Sequence, residues 1–332
     1  MRNTLFIVSL YLILSACGEK SNEVKFTSEG NPVVMDKFTS DPAPMVHNGR
    51  LYLYVGHDEA EEGQDFNITE WLCYSTKDMK TWTDHGSVLK PTDFSWGVGE
   101  AWASLVVEKD GKFYYYTTVQ AGAPYNSKVV GVAVSDSPTG PFVDARGIPL
   151  ITDDMTPNGP RGWWNDIDPT VFVDDDGRAY QFYSSENNAT MYISLLTDDY
   201  LKPSGRFTRN FVKESREAPA VFKYDGKYYM LSSGCTGWDP NVAEIAVADS
   251  IMGTWKTIGN PCTGPDADKT FYAQSTYVQP VIGKKDAYIA MFDRWKKKDL
   301  EDSRYVWLPV LIKDGKITIP WHEKWDFSIF DK

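Results

Sequence analysis

"SREAPAVFKYDGKYYMLSSG", residues 215–234, holds two runs rich in Val, Phe and Tyr, split by Asp225-Gly226. Asp-Gly between two such runs is a strong local signal for a hairpin. Its turn needs left-handed backbone that Gly adopts freely and Asp tolerates. The stretch therefore predicts two antiparallel strands joined by a tight turn. Arg216 and Glu217 stand at the start of the first strand. A carboxylate at the mouth of an apolar strand is either a solvated strand end or a group kept there for chemistry.

The same arrangement recurs along the chain. Residues 40–55 read "SDPAPMVHNGRLYLYV", residues 99–116 "GEAWASLVVEKDGKFYYY" and residues 167–183 "IDPTVFVDDDGRAYQFY". A weaker copy, "YAQSTYVQPVIGKKDAYIAMF", spans residues 272–292 with Gln274 in the acidic slot. The slots are Asp41, Glu100, Asp168, Glu217 and Gln274, separated by 59, 68, 49 and 57 residues. A second strand–turn–strand element follows each copy, as in "EWLCYSTKDMKTWTDHG" at residues 70–86. Each unit thus reads as four strands. Five such units predict an all-β, five-bladed β-propeller over residues 36–330. Almost no segment shows an apolar period of 3.6, so helices should be few.

In a propeller the innermost strand of every blade lines the central channel. Carboxylates far apart in sequence then converge on one pocket. Like charges crowded there raise at least one pKa, and keeping such a cost points to chemistry. One acidic slot alone is better read as a strand start, but a ring of them is not.

The chain has 332 residues and a formal net charge of −12. That charge repels polyanions and excludes nucleic acid as a partner. Aromatic residues make up 14%, with 12 Trp and 19 Tyr. Strand packing accounts for most of them, and stacking on sugar rings uses the same residue types.

The N-terminus, "MRNTLFIVSLYLILSACGEK", has an apolar run too short to span a bilayer and reads as a signal peptide. Leu14-Ser15-Ala16-Cys17 resembles a bacterial lipobox. That resemblance implies removal of residues 1–16, lipid on Cys17 and a polar tether over residues 17–35. It also implies a place on the bacterial cell envelope, membrane-bound through the lipid only. An ordinary secretory signal is the alternative. Cys73 reads as a buried strand residue, and Cys235 and Cys262 lie in turn-rich stretches where a disulfide is one option.

Ser40-Asp41-Pro42, Ile167-Asp168-Pro169 and Glu217-Ala218-Pro219 together resemble the motifs of family 43 glycoside hydrolases. These are five-bladed propellers with three carboxylates at the channel mouth. The resemblance implies Asp41 as general base, Glu217 as general acid and Asp168 as the group that tunes and orients the acid. An inverting glycosidase needs such a pair, roughly 6.5–9.5 Å apart so that water fits between base and sugar. The apolar strand after Glu217 favours a raised pKa, whereas Asp41, near an exposed mouth, is expected to stay ionised.

"SGCTGWDPN", "FYAQSTYV" and "MFDRWKKKDLEDSRYVWLPV" resemble the branch that includes exo-β-1,3-galactanases and galactosidases. That branch implies Gln274 and Glu100 as substrate-binding residues. The Asp41-Pro42 segment instead resembles the arabinofuranosidase and xylosidase branches. The first half points to arabinofuranosyl or xylosyl substrates, the second to galactose or galactofuranose. Trp102, Trp164 and Trp238 stand near the motifs as candidate sugar-stacking groups. Arg294 and Arg304 complete the candidate substrate-binding set.

The four His residues show no metal-ligand spacing, and neither a nucleophile elbow nor a nucleotide loop is present. No metal site and no required cofactor are therefore expected. "VDDDGRAY" at residues 173–180 reads as a hairpin turn rather than a calcium loop. The family resemblance leaves calcium in the channel as the one candidate ion. A propeller that binds glycans without cleaving them is the main alternative, yet it has no need of an acid and a base on separate blades.

Overall fold

The computed structural model describes residues 24–27, 34, 37–61, 64, 67–152, 155, 166–237, 239–294 and 304–331. The signal segment, Cys17, most of the tether, Trp164 and Trp238 lie outside the described residues. Twenty-two strands form five antiparallel-based sheets. Blade one contains β1 (Val24–Thr27), β2 (Thr39–His47), β3 (Arg50–Asp58), β4 (Ile68–Thr76) and β5 (Thr81–Leu89), in spatial order β1-β5-β4-β3-β2. Blade two is β6 (Gly97–Lys109), β7 (Lys112–Ala121), β8 (Lys128–Ser135) and β9 (Val143–Asp144). Blade three is β10 (Ile167–Val173), β11 (Ala179–Ser185), β12 (Thr190–Leu196) and β13 (Pro203–Asn210). Blade four is β14 (Arg216–Tyr224), β15 (Lys227–Gly234), β16 (Glu244–Ala248) and β17 (Lys256–Gly259). Blade five holds β18 (Cys262–Thr263), β19 (Gln274–Pro280), β20 (Tyr288–Arg294), β21 (Arg304–Lys313) and β22 (Lys316–Pro320), in order β18-β22-β21-β20-β19.

The innermost strands β2, β6, β10, β14 and β19 touch one another in a closed ring, the channel wall of a five-bladed propeller. Four strands per blade hold in blades two to four. Blades one and five each gain an outer strand, β1 against β5 and β18 parallel to β22. Three short 3-10 segments are the helical structure among the described residues. The Asp225-Gly226 turn joins β14 and β15 as expected, with φ of 48° and 73° and Tyr224 paired to Lys227. "VDDDGRAY" is likewise a hairpin turn, closed by Asp174 N–H donating to Arg178 O at 2.9 Å.

Each sheet is covered on both faces by neighbouring blades. The middle strands are therefore buried along their whole length, as in β11 and β12, instead of alternating. The outermost strands β13 and β17 are largely exposed. Five apolar clusters fill the five seams between blades.

The seam between blades one and five closes the ring. In the described residues no strand from one end of the chain enters the sheet of the other, so side chains carry the closure. Trp82 and Trp307 meet with ring centroids 6.2 Å apart, and Trp307 stacks on Tyr305. The Tyr305 hydroxyl hydrogen-bonds Thr39 Oγ1, and Thr276 Oγ1 donates to Pro42 O at 2.8 Å. Trp307→Ala should destabilise the protein by about 3–5 kcal/mol in urea unfolding, as expected for a fully buried Trp. Phe207→Ala, on an outer strand and 43% exposed, should change stability far less. Equal effects of the two would show that closure does not depend on this seam.

Candidate active site

A β-bulge interrupts each innermost strand at the same level. The register jumps between Ser40 and Ala43, Ala101 and Ser104, Ile167 and Thr170, Glu217 and Ala220, and Ser275 and Tyr277. Asp41, Asp168 and Ala218 sit in these bulges with φ of 51°, 53° and 53°. Proline follows each one, at Pro42, Pro169 and Pro219. Pro lacks an N–H, so it fits where the ladder is already broken. Glu217 therefore stands one position before the equivalent of Asp41 and Asp168. Its extra methylene lets it reach the same region.

One end of the channel is lined by all five innermost strands, with Asp41, Ser104, Asp168, Pro219 and Ser275 among the wall residues. Burial raises the Asp41 pKa well above the carboxylate range, and Asp293, Asp168 and Glu217 raise it further. This corrects the expectation of a solvated Asp41 that simply stays ionised: three other carboxylates crowd it. Burial and the Glu217 charge push Asp168 up to about 7, against one backbone donor, Ala218 N–H at 3.1 Å. Burial also raises Glu217. Asp41, Asp168 and Glu217 all hold a proton more readily than free carboxyls do.

Glu217 has the richest set of donors. Asn188 Nδ2 donates to Oε2 at 2.6 Å and Gln274 Nε2 to Oε1 at 3.0 Å. The Gln274 amide also reaches Ser233 Oγ at 2.8 Å. Gln274, expected as a substrate-binding residue, is thus brought to Glu217. Glu100 stands on β6 with its carboxylate against the ammonium of Lys128, which burial pushes down to about 7. Trp102 is only 9% exposed, and Lys128 Nζ lies 4.0 Å from its ring centroid. Arg294 Nε and a terminal nitrogen donate to Phe271 O at 3.1 and 2.8 Å. Arg304 lies over the Phe38 ring at 4.8 Å. Trp164 and Trp238 fall outside the described residues. Cys73, Cys235 and Cys262 are free thiols, so Cys235 and Cys262 are not joined.

Sequence reasoning missed Asn188 and Asp293. Glu186, Asn187 and Asn188 are three successive left-handed residues in the β11–β12 turn. Glu186 anchors that turn by accepting from Thr190, Tyr192 and Arg209 at 2.6–2.8 Å. The Asn-Asn pair signals such a turn, but nothing local places it beside Glu217. Asp293, fully buried, accepts from Asp41 N–H at 2.7 Å.

Among the described residues no group of three His, Cys, Asp or Glu is placed to hold an ion. The hydroxyls of Ser275 and Thr276 already donate to backbone carbonyls. No chemical step is assigned to a metal.

A profile for glycosyl hydrolases family 43 matches residues 29–282, most of the propeller. The chain belongs to that family. A β-xylosidase of Xylanibacter ruminicola is 33% identical over 294 residues, covering 74% of this chain and 81% of that protein. Xylosidase/arabinosidase 43A of Humicola insolens is 36% identical over 165 residues, 46% of this chain and 45% of that protein. The chain spans about half the length of the first curated relatives it matches. Among solved structures, a family 43 β-1,3-galactosidase with galactodeoxynojirimycin superposes with a TM-score of 0.76 at 34% identity. It covers 87% of this chain and 96% of its own.

The crowding has a measurable consequence for stability. Asp168 is held near 7 in the folded protein, against about 3.9 when unfolded. The folded state therefore binds the extra proton between these values. The resulting stability is complete below about 4 and is lost as pH rises through about 7. Asp168→Asn keeps an acceptor for Ala218 N–H without the charge. Its Tm should exceed that of the parent by at least about 2 °C at pH 8, with a smaller gain at pH 5. An equal gain at both pH values, or a loss at pH 8, would contradict this account.

Proposed function

We propose that the chain is an inverting, exo-acting glycoside hydrolase that removes arabinofuranosyl or xylosyl residues from plant-type polysaccharides or oligosaccharides. The supporting observation is the meeting of Asp41, Asp168 and Glu217, from three blades, at one end of the channel. Protonated Glu217 gives its proton to the leaving oxygen as the glycosidic bond breaks. Asp41, in the form that has lost its own proton, takes one from the water that attacks the anomeric carbon on the opposite face. Asp168 holds the acid's strand through Ala218 N–H and raises the proton affinity of Asp41. A raised pKa suits both roles, since acid and base work best near the operating pH.

A second sugar class has its own support. The Gln274 amide on Glu217, with the likeness to a β-1,3-galactosidase over 96% of that chain, favours a β-linked galactoside. Nitrophenyl arabinofuranoside, xyloside, galactoside and galactofuranoside separate these readings. A non-catalytic glycan-binding propeller predicts turnover of none.

Asp41→Asn and Glu217→Gln should each lower turnover by at least about 100-fold. Glu217→Gln should keep more activity on a nitrophenyl glycoside than on a natural linkage, because a good leaving group needs less acid. Asp41→Asn should harm both alike. Early NMR spectra should show product of inverted anomeric configuration; a retained anomer would reject these roles. A nearly silent Asp41→Asn would make Gln274 or Glu100 the partner that positions the water and would move the substrate to galactose.

The reading includes a lipid anchor on Cys17, supported by Leu14-Ser15-Ala16-Cys17 after an apolar core. It places the enzyme on the bacterial envelope, facing away from the cytoplasm. Mass spectrometry of membrane-extracted protein should find diacylglyceryl-Cys17 as the first residue, and an intact Met1 would exclude it.

A further inference from the structure

The segment entering β19 is the most strained stretch near the site. Thr270, Phe271 and Tyr272 are three successive non-glycine residues with φ of 50°, 58° and 60°. Left-handed backbone is unfavourable for each of them and persists only where surrounding contacts impose it. Those contacts are present. Thr270 Oγ1 accepts from Ala243 N–H at 2.6 Å and donates to Asn241 O at 2.8 Å. Phe271 is buried against Trp321, with ring centroids 5.3 Å apart. Its carbonyl takes the two bonds from Arg294. The Arg predicted to bind substrate instead fixes this backbone.

The result is an aromatic ring held at the rim. Tyr272 is 40% exposed, although its neighbour Phe271 is buried. Its hydroxyl donates to Asp266 Oδ1 at 3.1 Å, and Lys269 Nζ lies 5.2 Å from the ring centroid. These contacts set the ring's tilt. Tyr272 lines a cleft with Gly237, Asp239, Asn241 and Gln274. Gln274 is also the residue whose amide touches Glu217. The cleft therefore opens on the acid's side of the site. In an inverting hydrolase the acid faces the leaving oxygen, so what binds there is the leaving group.

We propose that Tyr272 is the stacking platform of a leaving-group subsite that takes a pyranose ring of an oligosaccharide. This rests on the glycoside hydrolase reading above. The apolar face of a sugar packs on an exposed aromatic ring, and Asp239 at the cleft edge supplies an acceptor for its hydroxyls.

The test compares two substrates with the same cleaved sugar: a disaccharide and the corresponding glycosyl fluoride, whose leaving group cannot reach the cleft. In Tyr272→Ala the ratio of kcat/KM for disaccharide over fluoride should fall at least about tenfold. Tyr272→Phe, which keeps the ring, should restore the ratio. Calorimetry in a Glu217→Gln background gives a readout without turnover. There Tyr272→Ala should weaken disaccharide binding more than monosaccharide binding. An unchanged ratio, or equal weakening for both sugars, overturns the subsite. Failure of the parent enzyme to cleave either substrate overturns the hydrolase reading itself, so the two failures are distinct.

Discussion

A β-bulge at one level of every innermost strand is the constraint on which the site depends. A regular strand would alternate its side chains between the two faces of its own sheet, both packed against neighbouring blades. The bulge breaks that alternation and turns a side chain along the channel. Asp41 and Asp168 occupy the bulges, and Glu217 stands one residue before its own. The prolines that follow stop the ladder from closing over the irregularity. The same local defect, repeated around a closed ring, brings together carboxylates that lie 49 to 176 residues apart, counted from Asp168 to Glu217 and from Asp41 to Glu217.

That gathering opposes stability. Asp293, Asp168 and Glu217 raise the proton affinity of buried Asp41, and Glu217 raises that of Asp168. The seams between blades, each filled by its own apolar cluster, supply the stability that permits it. A rigid ring also prevents the carboxylates from relaxing apart. The donors are unevenly distributed. Glu217 has two side-chain amides on it, and Asp168 has a backbone N–H. Unequal support of this kind lets groups of similar intrinsic acidity take different protonation states.

The rim is built by a different device. Around β19 the chain is pinned by Thr270, Phe271 and Arg294 in left-handed backbone. Two of the residues marked as site candidates, Arg294 and Trp102, turn out to support the walls. Trp102 lies beneath Lys128, and Lys128 is held against Glu100.

Local rules in the sequence determined the repeat and the all-β class, and the resemblance of three motifs to family 43 marked the three catalytic candidates. Asp-Gly marks a hairpin wherever it occurs, strand composition is local, and a repeated unit that cannot bury its faces alone must stack in a ring. The sequence also marked Gln274 as the fifth slot and a substrate-binding candidate. It could not show that Glu217 lies one register step from Asp41 and Asp168, since bulge pairing involves the next strand. Asn188 and Asp293 were not legible for the same reason. One sits in a turn of the blade before Glu217, and the other on the second strand of the last blade behind Asp41. Only ring closure sets those distances, through contacts between residues as far apart as Asp41 and Asp293. The raised proton affinity of Asp41 was decided there as well. A carboxylate's charge depends on which other charges share its pocket, and that is a property of the folded ring.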